Sequence, residues 1–207
     1  MPMSILLVRH GETLLNASRT VQPADTPLAA RGWAQARAIA KRLLAGADIA
    51  AIVSSDLPRA RQTAEAIAEA CGLPIVFEPL LQERNFGDLR GRPYDTLGFD
   101  LVTLVDAPPG GESAAMFRAR VALAFARVAA LRGGIDGDLA VVTHGLVIGA
   151  MLDGYALLSA AQSMPERLAN TSLTRLSATP PHRVALLNCT VHLDGAFDDD
   201  PQSLSGG

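Results

Sequence analysis

The stretch SILLVRHGET, residues 4–13, decides the fold. Its run Ile5-Leu6-Leu7-Val8 is apolar without polar alternation, the pattern of a strand buried on both faces, and it breaks off abruptly in Arg9, His10 and Gly11. The same pattern returns in LAVVTHGLVI, residues 139–148, where an apolar run ends in His144 and Gly145. In sheets of parallel strands covered by helices, ligands sit outside the carboxyl ends of the strands, where loops and helix N-termini converge. Two strands that each end in a histidine therefore place both rings in one crevice if they are neighbours.

The rest of the chain fits that architecture. Short β-branched runs predict strands at residues 5–8, 49–54, 75–77, 139–143, 172–177 and 184–189. Longer Ala-rich patterns predict helices at 30–45, 58–70, 114–131 and 146–152, with another at 159–168. The alternation points to an α/β fold, a mostly parallel central sheet flanked by helices in three layers. The length of 207 residues suits a single domain, here residues 1–193. Residues 194–207, DGAFDDDPQSLSGG, lack the apolar content for packing and are expected to form a flexible tail. Two loop-rich insertions, residues 19–29 and 82–113, interrupt the pattern, and the second is expected to form a lid or substrate wall.

Composition narrows the partners. A formal charge of -3 and the absence of a Lys/Arg-rich block argue against nucleic acid or a polybasic membrane contact. Small molecules are the expected ligands. Cys71 and Cys189 are too few and too far apart for a disulfide framework or a zinc cluster, which points to reduced thiols and a cytoplasmic setting. Arg9 and His10 interrupt the N-terminal apolar run too early for a secretory signal, and the apolar region at 139–161 divides into a strand and a helix rather than a membrane span.

Of the four histidines, His182 and His192 have no context that lifts them above a structural role. His10 differs, because an arginine precedes it and Gly11 permits close backbone approach. A third element, VSSDLPRARQTAEAIA at residues 53–68, carries a strand into a helix with Asp56 as its expected cap and Pro58 in its first turn. Arg59 then stands at a helix N-terminus, where backbone N–H groups already favour an anion. Arg61 lies about 200° further round the helix and is expected to be solvated or salt-bridged.

These segments, taken in order, resemble the motifs of the histidine phosphatase superfamily in its phosphoglycerate mutase-like branch: LVRHGET followed by Asn16, SSDLPRARQTA, LQERNFG, GGES and VVTHG. The likeness extends to NCTVHL at residues 188–193, except that Cys189 stands where the family has Asp. The resemblance implies a phosphohistidine intermediate and neither a metal nor a cofactor. By it, His10 is the nucleophile, Arg9, Arg59 and His144 hold the phosphoryl oxygens, and Glu83 is the general acid and base. Asn16 and Gln22 match further phosphate-contacting positions, although Pro23 replaces a frequent glycine beside Gln22. Glu112 in GGES reads equally as a helix-start acid or as catalytic help.

The roles agree with the chemistry. Phosphoryl transfer requires positioning and stabilisation of charge on the equatorial oxygens, which two guanidiniums and an imidazolium supply. The segment LQERNFGDLRG, with Arg84 and Leu89, leans towards mutases and bisphosphatases, whereas SSDLPRARQTA, VVTHGLVI and the lack of a long central insertion lean towards phosphatases. The expectation is a metal-independent phosphomonoester hydrolase acting on small phosphorylated metabolites. The alternatives are a mutase or sugar bisphosphatase and, third, a catalytically idle phosphate-binding protein. The resemblance also makes a homodimer the expected assembly.

Overall fold

The first strand, β1 (Ser4–Arg9), is buried along its whole length and lies at the centre of the sheet. The computed structural model describes residues 3–193, so the tail expected at 194–207 lies outside the described residues. The other strands are β2 (Ile49–Ser54), β3 (Ile75–Phe77), β4 (Asp138–Thr143), β5 (Ala156–Leu157), β6 (Leu173–Ser177) and β7 (His182–Cys189). They form one seven-stranded sheet in the order β3-β2-β4-β1-β6-β7-β5. β1, β2, β3 and β4 run parallel, while β6 is antiparallel to both of its neighbours.

The helices are α1 (Leu14–Ala17), α2 (Ala30–Gly46), α3 (Pro58–Cys71), α4 (Ala114–Gly133) and α5 (Gly145–Tyr155). Successive side chains of a strand point to opposite faces, and the two cores divide β1 accordingly. Ile5 and Leu7 pack with Phe117, Val121 and Phe125 of α4 and with Ile148 and Met151 of α5. Leu6 and Val8 pack on the other face with Ile39 and Leu43 of α2 and Ala64 and Ile67 of α3. Three layers result, because the central strands have no polar face to give to water.

Gly11 and Gly32 allow the N-terminal end of α2 to close on the turn after β1. A Cβ at Gly11 would lie 2.6 Å from the Gly32 carbonyl oxygen, and one at Gly32 would lie 2.0 Å from that of Glu12. The two insertions clamp each other: Val21 and Arg92, Gly91 and Val21, and Tyr94 and Arg19 are joined by backbone hydrogen bonds of 3.0, 2.7 and 2.9 Å. Val21, Phe86, Leu97 and Leu101 give this pair of loops its own small core, so residues 82–113 stand as an ordered wall.

Two local expectations are corrected. Residues 159–168 form turns, not a helix, because the Gln162 side chain binds Ser159 N and Val184 O and Pro165 cannot supply a helical N–H. The N-cap of α3 is Leu57, which has no side-chain acceptor; Asp56 instead accepts from Gln82 Nε2 at 2.7 Å.

Candidate active site

Register brings the histidines together. Arg9 and Thr143 are paired on the adjacent parallel strands β1 and β4, so the residues that follow them, His10 and His144, leave the sheet side by side. His10 N donates to Thr143 O at 2.9 Å, and the two ring centroids lie 5.1 Å apart. β2, on the other side of β4, delivers Ser55 and the first turn of α3 with Arg59 to the same edge.

The orientation of His10 follows from one bond. Its Nδ1 lies 2.7 Å from the Gly11 carbonyl oxygen, which can only accept, so Nδ1 carries the proton and Nε2 keeps its lone pair. Burial, followed by the charges of Arg59 and Arg9, holds the ring well below the usual imidazole range, which favours its neutral form. His144 Nε2 lies 2.9 Å from Ser55 Oγ, while its buried Nδ1 has no hydrogen-bond partner among the described residues. Burial, then Arg59, His10 and Arg9, push the His144 pKa down as well. The imidazolium expected of His144 is therefore disfavoured with no anion between the rings.

Arg9 and Arg59 supply the positive charge. Arg9 is 1% exposed and Arg59 2% exposed. Arg9 Nη1 donates to the Leu168 carbonyl and Arg59 Nη1 to the Pro23 carbonyl at 3.3 Å. Burial lowers the Arg59 pKa to about 10, which still leaves it charged near neutrality. Its Nε is buried without a partner among the described residues, a donor left over for an anion. Arg61, as expected, faces outward and stacks on Phe77 at 4.7 Å.

Glu83 closes the site from the third side. Its Oε1 accepts from Arg84 N at 3.0 Å and its Oε2 from Leu146 N at 3.2 Å. Burial raises its pKa, and these two N–H groups followed by Arg59 and Arg9 offset only part of the rise. Asn16 and Gln22 are joined through Thr13, whose hydroxyl lies 3.2 Å from Asn16 Oδ1 and 3.0 Å from Gln22 Oε1. Asn16 also caps α1 reciprocally with Thr13. All seven sequence-predicted residues thus converge at the carboxyl edge of the sheet.

Glu112 is placed elsewhere. Its carboxylate forms a bidentate pair with Arg120 (2.8 and 2.7 Å), and Arg120 in turn donates to the carbonyls of Leu80, Gln82 and Glu83. Burial alone would raise the Glu112 pKa, but the Arg120 hydrogen bonds bring it below the usual carboxylate range. The pair acts as a bracket for the Glu83 segment.

Sequence reasoning missed the corner before β6. Asn170 Nδ2 donates to His10 O at 2.9 Å, and Thr171, at φ 52°, donates its backbone N–H to the carbonyls of Arg9 and His10. Arg42 Nη1 can only donate, so His192 Nδ1 accepts it at 3.1 Å and His192 Nε2 carries its proton towards Thr171 Oγ1, also at 3.1 Å. Nothing local in NTSLTRL signals this, since it depends on β6 lying beside β1. Tyr94 was missed too: burial pushes its phenol up to about 12, and Arg9, Glu83 and Arg59 all act on it. His182 is structural, bonded to Ser177 O and edge-on to Phe125. Among the described residues no three His, Cys, Asp or Glu side chains form a cluster able to hold a metal ion, and no helix is long and apolar enough to cross a membrane.

Known proteins resemble the chain in sequence and in fold. The chain is 38% identical over 184 residues to the "Probable phosphoglycerate mutase GpmB" of Yersinia pestis (strain Pestoides F), covering 84% of each chain. It superposes on a mycobacterial glucosyl-3-phosphoglycerate phosphatase, solved with VO3, with a TM-score of 0.73 and 29% identity over 91% of this chain and all of that one. Phosphoglycerate mutase from Bacillus anthracis str. Sterne shares the fold at a TM-score of 0.77 and 21% identity, covering 92% of this chain and 95% of that one. The model of the histidine phosphatase superfamily (branch 1) matches residues 5–190, nearly the whole described chain and every strand of the sheet that carries the two histidines, and the protein belongs to that family.

Proposed function

We propose that residues 1–193 act as one catalytic domain that hydrolyses phosphomonoesters through a phosphohistidine on His10, without a metal. The observation that carries this is the Nδ1–H to Gly11 O bond, because it presents Nε2 as a neutral nucleophile between two buried guanidiniums. In the first step Nε2 attacks phosphorus, the P–O ester bond breaks, and Glu83 gives its proton to the leaving oxygen. In the second, Glu83 as carboxylate takes a proton from water, which attacks phosphorus and releases His10. Arg9 and Arg59 neutralise the equatorial oxygens, and Asn16 and Gln22 add amide donors. A phosphoryl dianion opposes the effect of the arginines on His144, which then holds a proton and donates to it.

Histidine phosphatases and mutases share this first step and differ in the acceptor, water or a second hydroxyl. The GpmB relative favours the mutase alternative by name, and the phosphatase neighbour favours hydrolysis. Rapid quench with 32P-labelled p-nitrophenyl phosphate in chelator should leave acid-labile, alkali-stable label on His10, lost in His10→Ala. Label on Ser, Asp or Cys, or activity that needs added zinc, manganese or magnesium, would overturn the reading. Interconversion of phosphoglycerates faster than phosphate release would select the mutase. The partly buried thiols Cys71 and Cys189 support a cytoplasmic setting. A homodimer is the proposed assembly, which sedimentation tests.

A further inference from the structure

An ester seated at His10 loses its alcohol on the side of the group that protonates it. The two backbone donors that hold Glu83, Arg84 N and Leu146 N, belong to residues that also line a cleft of about 370 Å³. Leu168 lines it too, and its carbonyl accepts from Arg9. Residues that hold Glu83 and Arg9 in place are thus shared with the wall of this cleft.

Its walls are apolar for most of their extent: Phe117 of α4, Leu146 and Ala150 of α5, Val102 of the long wall and Met164. Val102 and Met164 are 54% and 42% exposed and come from segments far apart in sequence. The cleft carries three arginines, Arg84, Arg118 and Arg167, against Asp153 and Glu166, and the Arg84 guanidinium is engaged by the Glu112 carbonyl at 3.2 and 3.1 Å. Gly149 lies in the middle of α5 and lines the same cleft, and a Cβ there would meet nothing within 4 Å. Glycine inside a helix is unfavourable, and no neighbouring atom requires one here. The space it leaves opens into the cleft.

We propose that this cleft is the leaving-group subsite and that it selects phosphomonoesters whose alcohol carries a bulky apolar body, aromatic or branched alkyl, over short polar esters. The inference rests on Glu83 as the proton donor in the function proposed above.

The test compares n-propyl phosphate with 3-phenylpropyl phosphate, whose alcohols are similarly poor leaving groups. The larger ester should have a kcat/KM at least about tenfold higher, since even one methylene in an apolar pocket is worth roughly 10- to 200-fold. Gly149→Leu fills the cleft and should bring the ratio of the two values towards one, and Gly149→Ala, which suits a helix better than glycine, should give an intermediate ratio. Phosphohistidine formed from both esters with equal kcat/KM, or a ratio that neither variant changes, would overturn the subsite while leaving the catalytic reading intact. Absence of label on His10 from either ester would overturn both.

Discussion

The rings of His10 and His144 stand 5.1 Å apart and 59° from coplanar because the residues before them, Arg9 and Thr143, are register partners on neighbouring parallel strands. That pairing puts two imidazoles and two guanidiniums in one buried volume, and the first consequence concerns pH. His10 must be neutral to attack, so kcat/KM rises with pH through its pKa, which burial and then Arg59 and Arg9 set well below 6.5. Glu83 must be protonated for the same step, so kcat/KM falls through its pKa, which burial raises above 4.5. The acid limb should therefore lie below pH 6.5. Glu83→Gln should abolish the alkaline limb due to the enzyme and leave the acid limb in place, as pH profiles of kcat/KM for an alkyl phosphate, whose leaving oxygen needs that proton, will show.

The same substitution separates leaving groups. Glu83→Gln keeps the contact with Leu146 N but cannot transfer a proton, so kcat/KM for an alkyl phosphate should fall by about 10²- to 10⁴-fold. The loss for p-nitrophenyl phosphate should be smaller, because p-nitrophenolate leaves without protonation. Equal losses for both esters would remove Glu83 from proton transfer.

Glu112→Gln should behave differently. It breaks a bidentate pair whose partners are 17% and 16% exposed and leaves Arg120 without its countercharge, which should lower stability by about 1–3 kcal/mol. The Glu83 segment held by Arg120 loosens, so kcat/KM should fall by a similar factor for both esters. Chemical denaturation together with the two-ester comparison measures this, and a loss confined to the alkyl ester would make Glu112 the acid.

His192 predicts a pH-dependent stability. Burial, then Arg42, lowers its folded pKa to about 4 from the ordinary 6.5. As pH falls from 6.5 towards 4, the unfolded chain takes up a proton that the folded chain refuses, so the stabilisation present above 6.5 is lost in that window. His10 and His144 act with the same sign. In His192→Gln one titrating group is gone, so the stability difference between wild type and variant should shrink as pH falls across the window. Urea midpoints at a series of pH values will show it; a constant difference would place the His192 proton elsewhere.

Much of the site was legible because its signals are local. An apolar run that ends in Arg-His-Gly reads as a buried strand with a polar end, and Arg59 after Pro58 reads as a helix N-terminus within one turn of sequence. The expected boundaries for β2 and β3, residues 49–54 and 75–77, coincide with the observed strands. Local cues misled where a side chain found a distant partner: Asp56 bonds to Gln82 rather than capping α3, and Gln162 reaches β7 at Val184 rather than joining a helix.

By itself the sequence determined the layered α/β architecture and the identity of the charged and imidazole groups, because hydrophobic period and residue chemistry are properties of short segments. Tertiary structure alone decided which groups meet and in which state. The His10 tautomer depends on the turn that aims the Gly11 carbonyl at Nδ1, the rise in the Glu83 pKa on its burial, and the Asn170 anchor on β6 pairing with β1 across more than 150 residues of chain. Burial and hydrogen-bond direction belong to the assembled neighbours of a group, and no window of sequence contains them.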